Sequence, residues 1–94
     1  MNRTYTAVLR SEPEGGFTVF VPALRGCVTY GKDVPDALRA ATEAIECYLL
    51  GLQDLGEKIP VEGKELTLLR SEMAGALLPF RVAVEIPQEV AEVA

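Results

Sequence analysis

The chain has 94 residues, of which 49% are hydrophobic and 24% charged, with 14 acidic residues, 9 basic ones and a formal net charge of −5. This length allows one domain, residues 1–94, and the composition is that of a globular chain rather than a disordered or fibrous one. Because phosphate binding requires a basic surface, the charge argues against a nucleic-acid partner and favours a basic protein. The lack of histidine, beside many Leu, Ala, Glu and Arg residues, is a weak sign of a thermophilic source.

Targeting and cysteine signals are sparse. The N-terminal segment has no apolar stretch typical of a signal peptide, and no run of residues is long and apolar enough to span a membrane, so we expect a cytoplasmic protein. Cys27 and Cys47 fit neither a zinc-ligand spacing nor a CxxC redox pair. We therefore expect two small, semi-buried thiols and no cofactor.

The first part of the chain predicts a β-hairpin. TYTAVLR, residues 4–10, alternates between two faces, which is typical of a strand. SEPEGG follows as a loop in which Gly15 and Gly16 supply positive-φ positions. FTVFVP, residues 17–22, then resumes the alternation as a second strand.

A third short strand follows after a turn. Pro22 ends the second strand, and Gly26 lies in the turn ALRG. CVTYG, residues 27–31, is the third strand, and Gly31 ends it. These segments predict a three-stranded antiparallel meander.

From Asp33 the apolar residues recur at intervals of three and four, which predicts an amphipathic helix. Asp33 is a good N-cap, and Pro35 lies in the first turn, where its missing N–H costs nothing. Gly56 is the expected stop.

The last third of the chain is harder to interpret. Residues 57–78 predict an irregular connection, with a possible short strand at Leu66–Leu69. FRVAVEI, residues 80–86, alternates as a fourth strand, and residues 87–94 form a short tail. Since a strand that follows a helix in the same sheet returns by a right-handed crossover, we expect it to lie parallel to the first strand. The prediction is a single α+β domain, β-β-β-α-β, with one helix on one face.

The segment EGGFTVFVPALRGCVTYGKDVPDALRAATEAIECYL resembles the signature of the HicB-like antitoxin family. In that signature an acidic residue and glycines precede an aromatic strand, followed by V-P-x-L-x-G-C-x-T-x-G and a capped helix. The resemblance implies a partial ribonuclease H-like fold, which agrees with the order of elements derived from periodicity. We interpret the motif residues as structural, because turns and helix capping explain their spacing. The alternative interpretation is that Gly26 and Cys27 line a ligand cleft. The motif comprises Gly15, Gly16, Pro22, Gly26, Cys27, Gly31 and Asp33.

The resemblance also implies a function. HicB-like antitoxins bind and neutralise a small basic RNA-cleaving toxin of the HicA type, and exposed acids are the expected contacts. The candidate toxin-facing acids are Glu12, Glu14, Asp36, Glu43 and Glu46. Many family members append a DNA-binding domain, but only IPQEVAEVA follows the last strand here, so DNA binding is not expected. The alternative is an orphan HicB-like oligomeric binding module with no toxin partner.

The fold resemblance raises the question of catalysis. Ribonuclease H chemistry holds metal ions with carboxylates from neighbouring strands, but the middles of the first three predicted strands contain no acid. Without histidine, nucleophile schemes that use a histidine base are also excluded. We therefore expect no enzyme activity and no metal site.

One helix can cover only one face of the predicted sheet. The other face should present a cluster of apolar side chains, which predicts a homo-oligomer. The candidate oligomer interface consists of Val8, Phe20, Val28 and Tyr30. A register error of one residue would exchange the two faces.

Overall fold

The strands and the helix follow the predicted order. The computed structural model describes residues 2–63 and 77–87. Its elements are β1 (Asn2–Ser11), β2 (Phe17–Phe20), β3 (Val28–Gly31), α1 (Val34–Asp54) and β4 (Leu77–Glu85). This confirms the β-β-β-α-β order of an α+β fold. The predicted strand at Leu66–Leu69 and the tail from residue 88 onward lie outside the described residues.

β1 lies inside the sheet, with β2 on one side and β4 on the other. The strand order is β3-β2-β1-β4. β2 pairs antiparallel with both β1 and β3, as the meander prediction required. Ser11, Phe17 and Gly31 are aligned across the three strands, so the β1–β2 loop and the start of α1 lie at the same end of the sheet.

β4 lies beside β1, as predicted, but the predicted parallel direction is wrong. The two strands run antiparallel, with Thr6 opposite Arg81. The prediction applied the rule for a crossover between parallel strands to the connection after α1. Instead, the segment after α1 first runs back along β1: the Tyr5 hydroxyl donates to the carbonyl of Pro60 at 2.6 Å, and Glu62 binds Thr6. β4 can therefore begin beside the C-terminal end of β1 and run antiparallel to it.

The helix begins and ends where the sequence indicates. The Asp36 N–H donates to Asp33 Oδ1 at 2.9 Å, which caps α1, and Gly56 takes a positive φ of 71° just after its C-terminus. The side chains that α1 buries against the sheet are Ala37, Ala40, Ala41, Ile45 and Leu49. The polar face of α1 remains in water, and among the described residues no helix has the length and apolar composition needed to cross a membrane.

The hydrophobic core lies between α1 and the sheet, where Tyr5, Leu9 and Val19 are fully buried. The face opposite α1 is partly closed as well, because Thr6 and Val8 have only 2% and 0% of their surface exposed. The expectation of an open second face therefore holds for β2 and β3 but not for the middle of β1.

Candidate protein-binding surfaces

Tyr30 of β3 packs over the β1–β2 turn. Its hydroxyl donates to the carbonyl of Gly15 at 3.2 Å. A Cβ placed on Gly16 would lie 1.9 Å from the Tyr30 hydroxyl oxygen, and Gly16 has a φ of +80°. Glycine is required here both by the backbone and by the tyrosine.

Gly31 lets the start of α1 approach β3. A Cβ on Gly31 would lie 2.3 Å from both N and Cα of Ala37. Asp33 then caps the helix two residues later. This contact fixes the position of the helix N-terminus against the end of the sheet.

The turn between β2 and β3 holds itself closed. Val21 N–H donates to the Cys27 carbonyl at 3.1 Å, and Cys27 N–H donates to the Leu24 carbonyl at 3.0 Å. Gly26 has a φ of +82°, and Pro22 needs no donor in this turn. These bonds are sufficient to explain the spacing of the motif without a ligand.

The same turn also forms the wall of an open groove on the outer side of the sheet. The groove has a volume of about 430 Å³, and Gly26 and Cys27 line it together with Arg10, Phe20 and Arg25. This is the position that the alternative ligand-cleft interpretation requires. Two arginines at its rim make it suited to an acidic or aromatic group.

The two cysteines lie near each other in space. Cys27 is buried and Cys47 exposed, and both line a shallow cavity of about 260 Å³. Burial, and secondarily the neighbouring Cys47, raises the pKa of the Cys27 thiol. Cys27 is therefore protonated at neutral pH and a poor nucleophile.

The four residues of the candidate oligomer interface lie on one face of the sheet, opposite α1. Val8, Phe20 and Val28 are directly paired across β1, β2 and β3. Val28 and Tyr30 are 61% and 56% exposed, whereas Val8 is completely buried within the chain. Val8 therefore offers no surface to a partner. We refer to Phe20, Val28 and Tyr30 as the outer apolar surface.

The candidate toxin-facing acids occupy one end and one side of the molecule. Glu12 and Glu14 lie in the β1–β2 loop, and Asp36 lies in the first turn of α1, at the same end of the sheet. Glu43 and the half-buried Glu46 lie farther along the helix. We refer to the end that contains Glu12, Glu14 and Asp36 as the acidic end.

Several of these acids already bind neighbouring groups. Asp36 accepts from Arg39 Nη2 at 2.6 Å and from the Lys32 N–H at 3.0 Å, and these bonds lower its pKa. Hydrogen bonds from the Thr18 hydroxyl and then from Arg10 lower the pKa of Glu12. Arg39 also donates to Glu43 at 3.0 Å. All three carboxylates are thus held in place by basic side chains.

Glu62 is a half-buried carboxylate to which no sequence pattern points. It accepts from the Thr6 N–H, from Thr6 Oγ1 at 3.0 Å and from Arg81 Nη1 at 3.0 Å, and its side chain is only 14% exposed. Its carboxylate accepts a hydrogen bond from the Thr6 N–H, which lies beyond the part of β1 that pairs with β2. Glu62 lies in a segment without periodicity, so no local pattern points to this role.

The described residues bring together no group of three or more His, Cys, Asp or Glu side chains that could hold a metal ion. Glu12 and Asp36 of the acidic end pair with basic side chains or a backbone N–H group instead. What this geometry offers is therefore contact surface: an acidic end, an outer apolar surface and a groove.

Comparison with known proteins identifies the group to which this architecture belongs. A family model described as "HicB_like antitoxin of bacterial toxin-antitoxin system" matches residues 5–91. A UPF0150 protein of Helicobacter pylori is 52% identical over 70 residues, which cover 74% of this chain and 83% of that protein.

Solved structures have the same fold. The antitoxin HicB of Burkholderia pseudomallei is 25% identical with a TM-score of 0.69 over 84% of this chain, which spans 61% of the length of that antitoxin. A chain of the HicA3 and HicB3 toxin-antitoxin complex is 22% identical with a TM-score of 0.59, over 90% of this chain and 99% of that one. The chain belongs to the HicB-like antitoxin family of bacterial toxin-antitoxin systems.

Proposed function

We propose that this chain binds and neutralises a small basic RNA-cleaving toxin of the HicA type in the cytoplasm. The observation that carries the proposal is membership of the antitoxin family over residues 5–91. The net charge of −5 supplies a physical reason for fast encounter, because opposite net charges steer two proteins together. Long-range electrostatic attraction does not select one toxin, so specificity must come from short-range contacts between the two surfaces.

We place the electrostatic contact at the acidic end. Glu14 is exposed at the tip of the β1–β2 loop, whereas Glu12 and Asp36 are already held by Arg10 and Arg39. Glu14 is therefore the acid of this end that can turn toward a basic partner at the lowest cost. The charges of Glu12 and Asp36 are largely offset by the arginines that bind them, so Glu14 is the uncompensated charge of the three.

The proposal predicts that a neighbouring gene encodes a small basic protein, and co-expressing that protein with the chain tests the proposal. We expect the two proteins to co-purify and the chain to restore growth, with an association rate that falls as salt rises because screening weakens steering. Pull-down, growth curves and stopped-flow association measure these three results. If the proteins neither co-purify nor show rescue at low salt, the orphan binding module is the correct function.

Reversing one charge tests the position of the contact. We expect Glu14→Lys to slow association several-fold at low salt, because it places a cation where the basic partner approaches. Glu57→Lys is the matched control, since Glu57 is equally exposed, the net charge changes by the same amount and the site lies beyond the opposite end of α1. Equal association rates for the two variants would show that only net charge matters and that the acidic end is not the contact.

We further propose that the chain itself cleaves no RNA and binds no operator DNA. Among the described residues no three carboxylates lie together where they could hold a metal ion, and the net charge opposes binding to phosphates. Purified chain incubated with RNA and Mg²⁺ or Mn²⁺ should leave the RNA intact. RNA cleavage that is abolished by Asp36→Asn would contradict this expectation.

We retain self-association as part of the proposal. Because Val8 is buried within the chain, the outer apolar surface consists of only three side chains, of which Val28 and Tyr30 are well exposed. So small a patch supports a weak contact rather than a stable interface of its own.

A further inference from the structure

The outer edge of β4 is a long hydrogen-bonding edge. The Glu12 N–H donates to the Gly16 carbonyl. By the alternation of an antiparallel ladder, the even-numbered residues of β1 direct their N–H and C=O groups toward β2, and the odd-numbered residues direct theirs toward β4. In the β1–β4 register, Val82 and Val84 therefore bond to β1, and Arg81, Ala83 and Glu85 direct their N–H and C=O groups outward. Among the described residues, no strand pairs with these outward groups.

Pro79 belongs to the outward-directed set. Its missing N–H therefore costs no bond to β1, which is why a proline is compatible with this strand. It also interrupts the outer edge at that point. The uninterrupted part of the edge runs from Arg81 to Glu85, five residues of the nine in β4.

We propose that a second copy of this chain pairs antiparallel with the outer edge of β4, around a two-fold axis at Ala83. This register places Arg81 opposite Glu85 of the second copy, and the two-fold axis repeats that pair of opposite charges. Directly opposed residues of opposite charge stabilise an antiparallel pair. The strand is thus complementary to itself in charge.

The neighbouring registers are poorer. An axis at Arg81 would set two arginines opposite each other, which is destabilising. An axis at Val82 would set Pro79 opposite Glu85 and lose a bond of the ladder. With the axis at Ala83, Pro79 falls opposite Pro87, beyond the strand end at Glu85, and all the outward groups from Arg81 to Glu85 are paired.

The pairing is compatible with the bonds that β4 already makes. Arg81 donates to Glu62 while its side chain remains 64% exposed, so in the dimer it lies between Glu62 and Glu85 of the second copy. The two four-stranded sheets join into one continuous sheet. The acidic end and the outer apolar surface of each copy stay outside the interface.

Cross-linking tests the two-fold axis. In a Cys47→Ser background, the Ala83→Cys substitution introduces one cysteine per copy at the two-fold axis. The Cα atoms of these two cysteines lie about 5.5 Å apart in the dimer, a spacing that a disulfide spans. Thr4→Cys is the matched control: Thr4 lies opposite Ala83 one strand inward and is also exposed, but its two copies would be about 14 Å apart across the dimer. We expect mild oxidation to cross-link the Ala83→Cys variant alone. Equal cross-linking of both variants, or none at Ala83→Cys, overturns the proposal.

Charge reversal tests the register. We expect Glu85→Arg to raise the dimer dissociation constant about tenfold or more, because two opposite-charge pairs become like-charge pairs. Arg81→Glu should do the same, and an equimolar mixture of the two variants should recover a heterodimer in native mass spectrometry. The circular dichroism spectrum of each variant shows that it is folded. If Val28→Glu dissociates the dimer while Glu85→Arg does not, the outer apolar surface is the interface and the β4 edge is not.

Discussion

Replacing Gly31 with alanine should lower the free energy of unfolding by about 2–3 kcal/mol, because the added methyl group has no space. Its carbon would lie 2.3 Å from backbone atoms of Ala37, which cannot rotate away as a side chain could. Either α1 or β3 must move, and the buried contacts of Ala37 and Ala41 are weakened in both cases. Urea denaturation followed by circular dichroism measures the change.

Gly51→Ala is the matched control for this substitution. Gly51 lies within α1, is exposed and has no atom within 4 Å of an added Cβ. Alanine is favoured over glycine in a helix by up to about 1 kcal/mol, so this variant should be more stable than the parent chain. Loss of stability in both variants would show that the chain tolerates no added methyl group, independent of the contact between Gly31 and Ala37.

Glu62→Ala should lower the free energy of unfolding by about 2–4 kcal/mol. The substitution removes the acceptor of both the Thr6 N–H and the Thr6 hydroxyl. Because Thr6 is buried, bulk water cannot replace that acceptor, and both donors are left without a hydrogen bond. The loss should also loosen the segment around Pro60, whose carbonyl accepts a hydrogen bond from the Tyr5 hydroxyl. Thermal and urea denaturation give the magnitude, and hydrogen exchange at Thr6 gives the location.

Two controls separate the contributions to this effect. Within one copy of the chain, Arg81→Ala removes the exposed ion pair with Glu62, which should cost less than about 1 kcal/mol when measured on the monomer. Glu57→Ala removes an exposed carboxylate of the same segment and should change little. A Glu62→Ala effect no larger than that of Arg81→Ala would show that the bonds to Thr6 contribute nothing.

Elements with local patterns were predictable from the sequence, and relations between distant segments were not. Alternation in residues 4–10 and the Asp33 cap gave β1 and α1 to within a few residues. The direction of β4 depends on the connection after α1, which has no period to interpret. Alternation likewise shows which face Val8 occupies, but it cannot show that this part of the face is closed.

The same distinction applies to the candidate surfaces. Exposed acids were easy to identify, because charged residues on the outer face of a helix or in a loop remain in water. Their partners were harder: Arg39 and Asp36 are close in sequence, whereas Glu62 and Thr6 are separated by 56 positions. Such a pair becomes visible only once the chain has folded back along β1.

The pairing of β1 with β4 has a consequence for how the chain folds. Asn2 lies opposite Glu85, so this ladder joins the strand before the meander turn to the strand that follows α1. Contacts of such sequence separation slow folding, because almost the whole chain must be closed into a loop before they form. During translation the meander and α1 can form first, while one side of β1 awaits its neighbour. Emergence of β4, rather than emergence of the meander and α1, is therefore the event that completes the sheet.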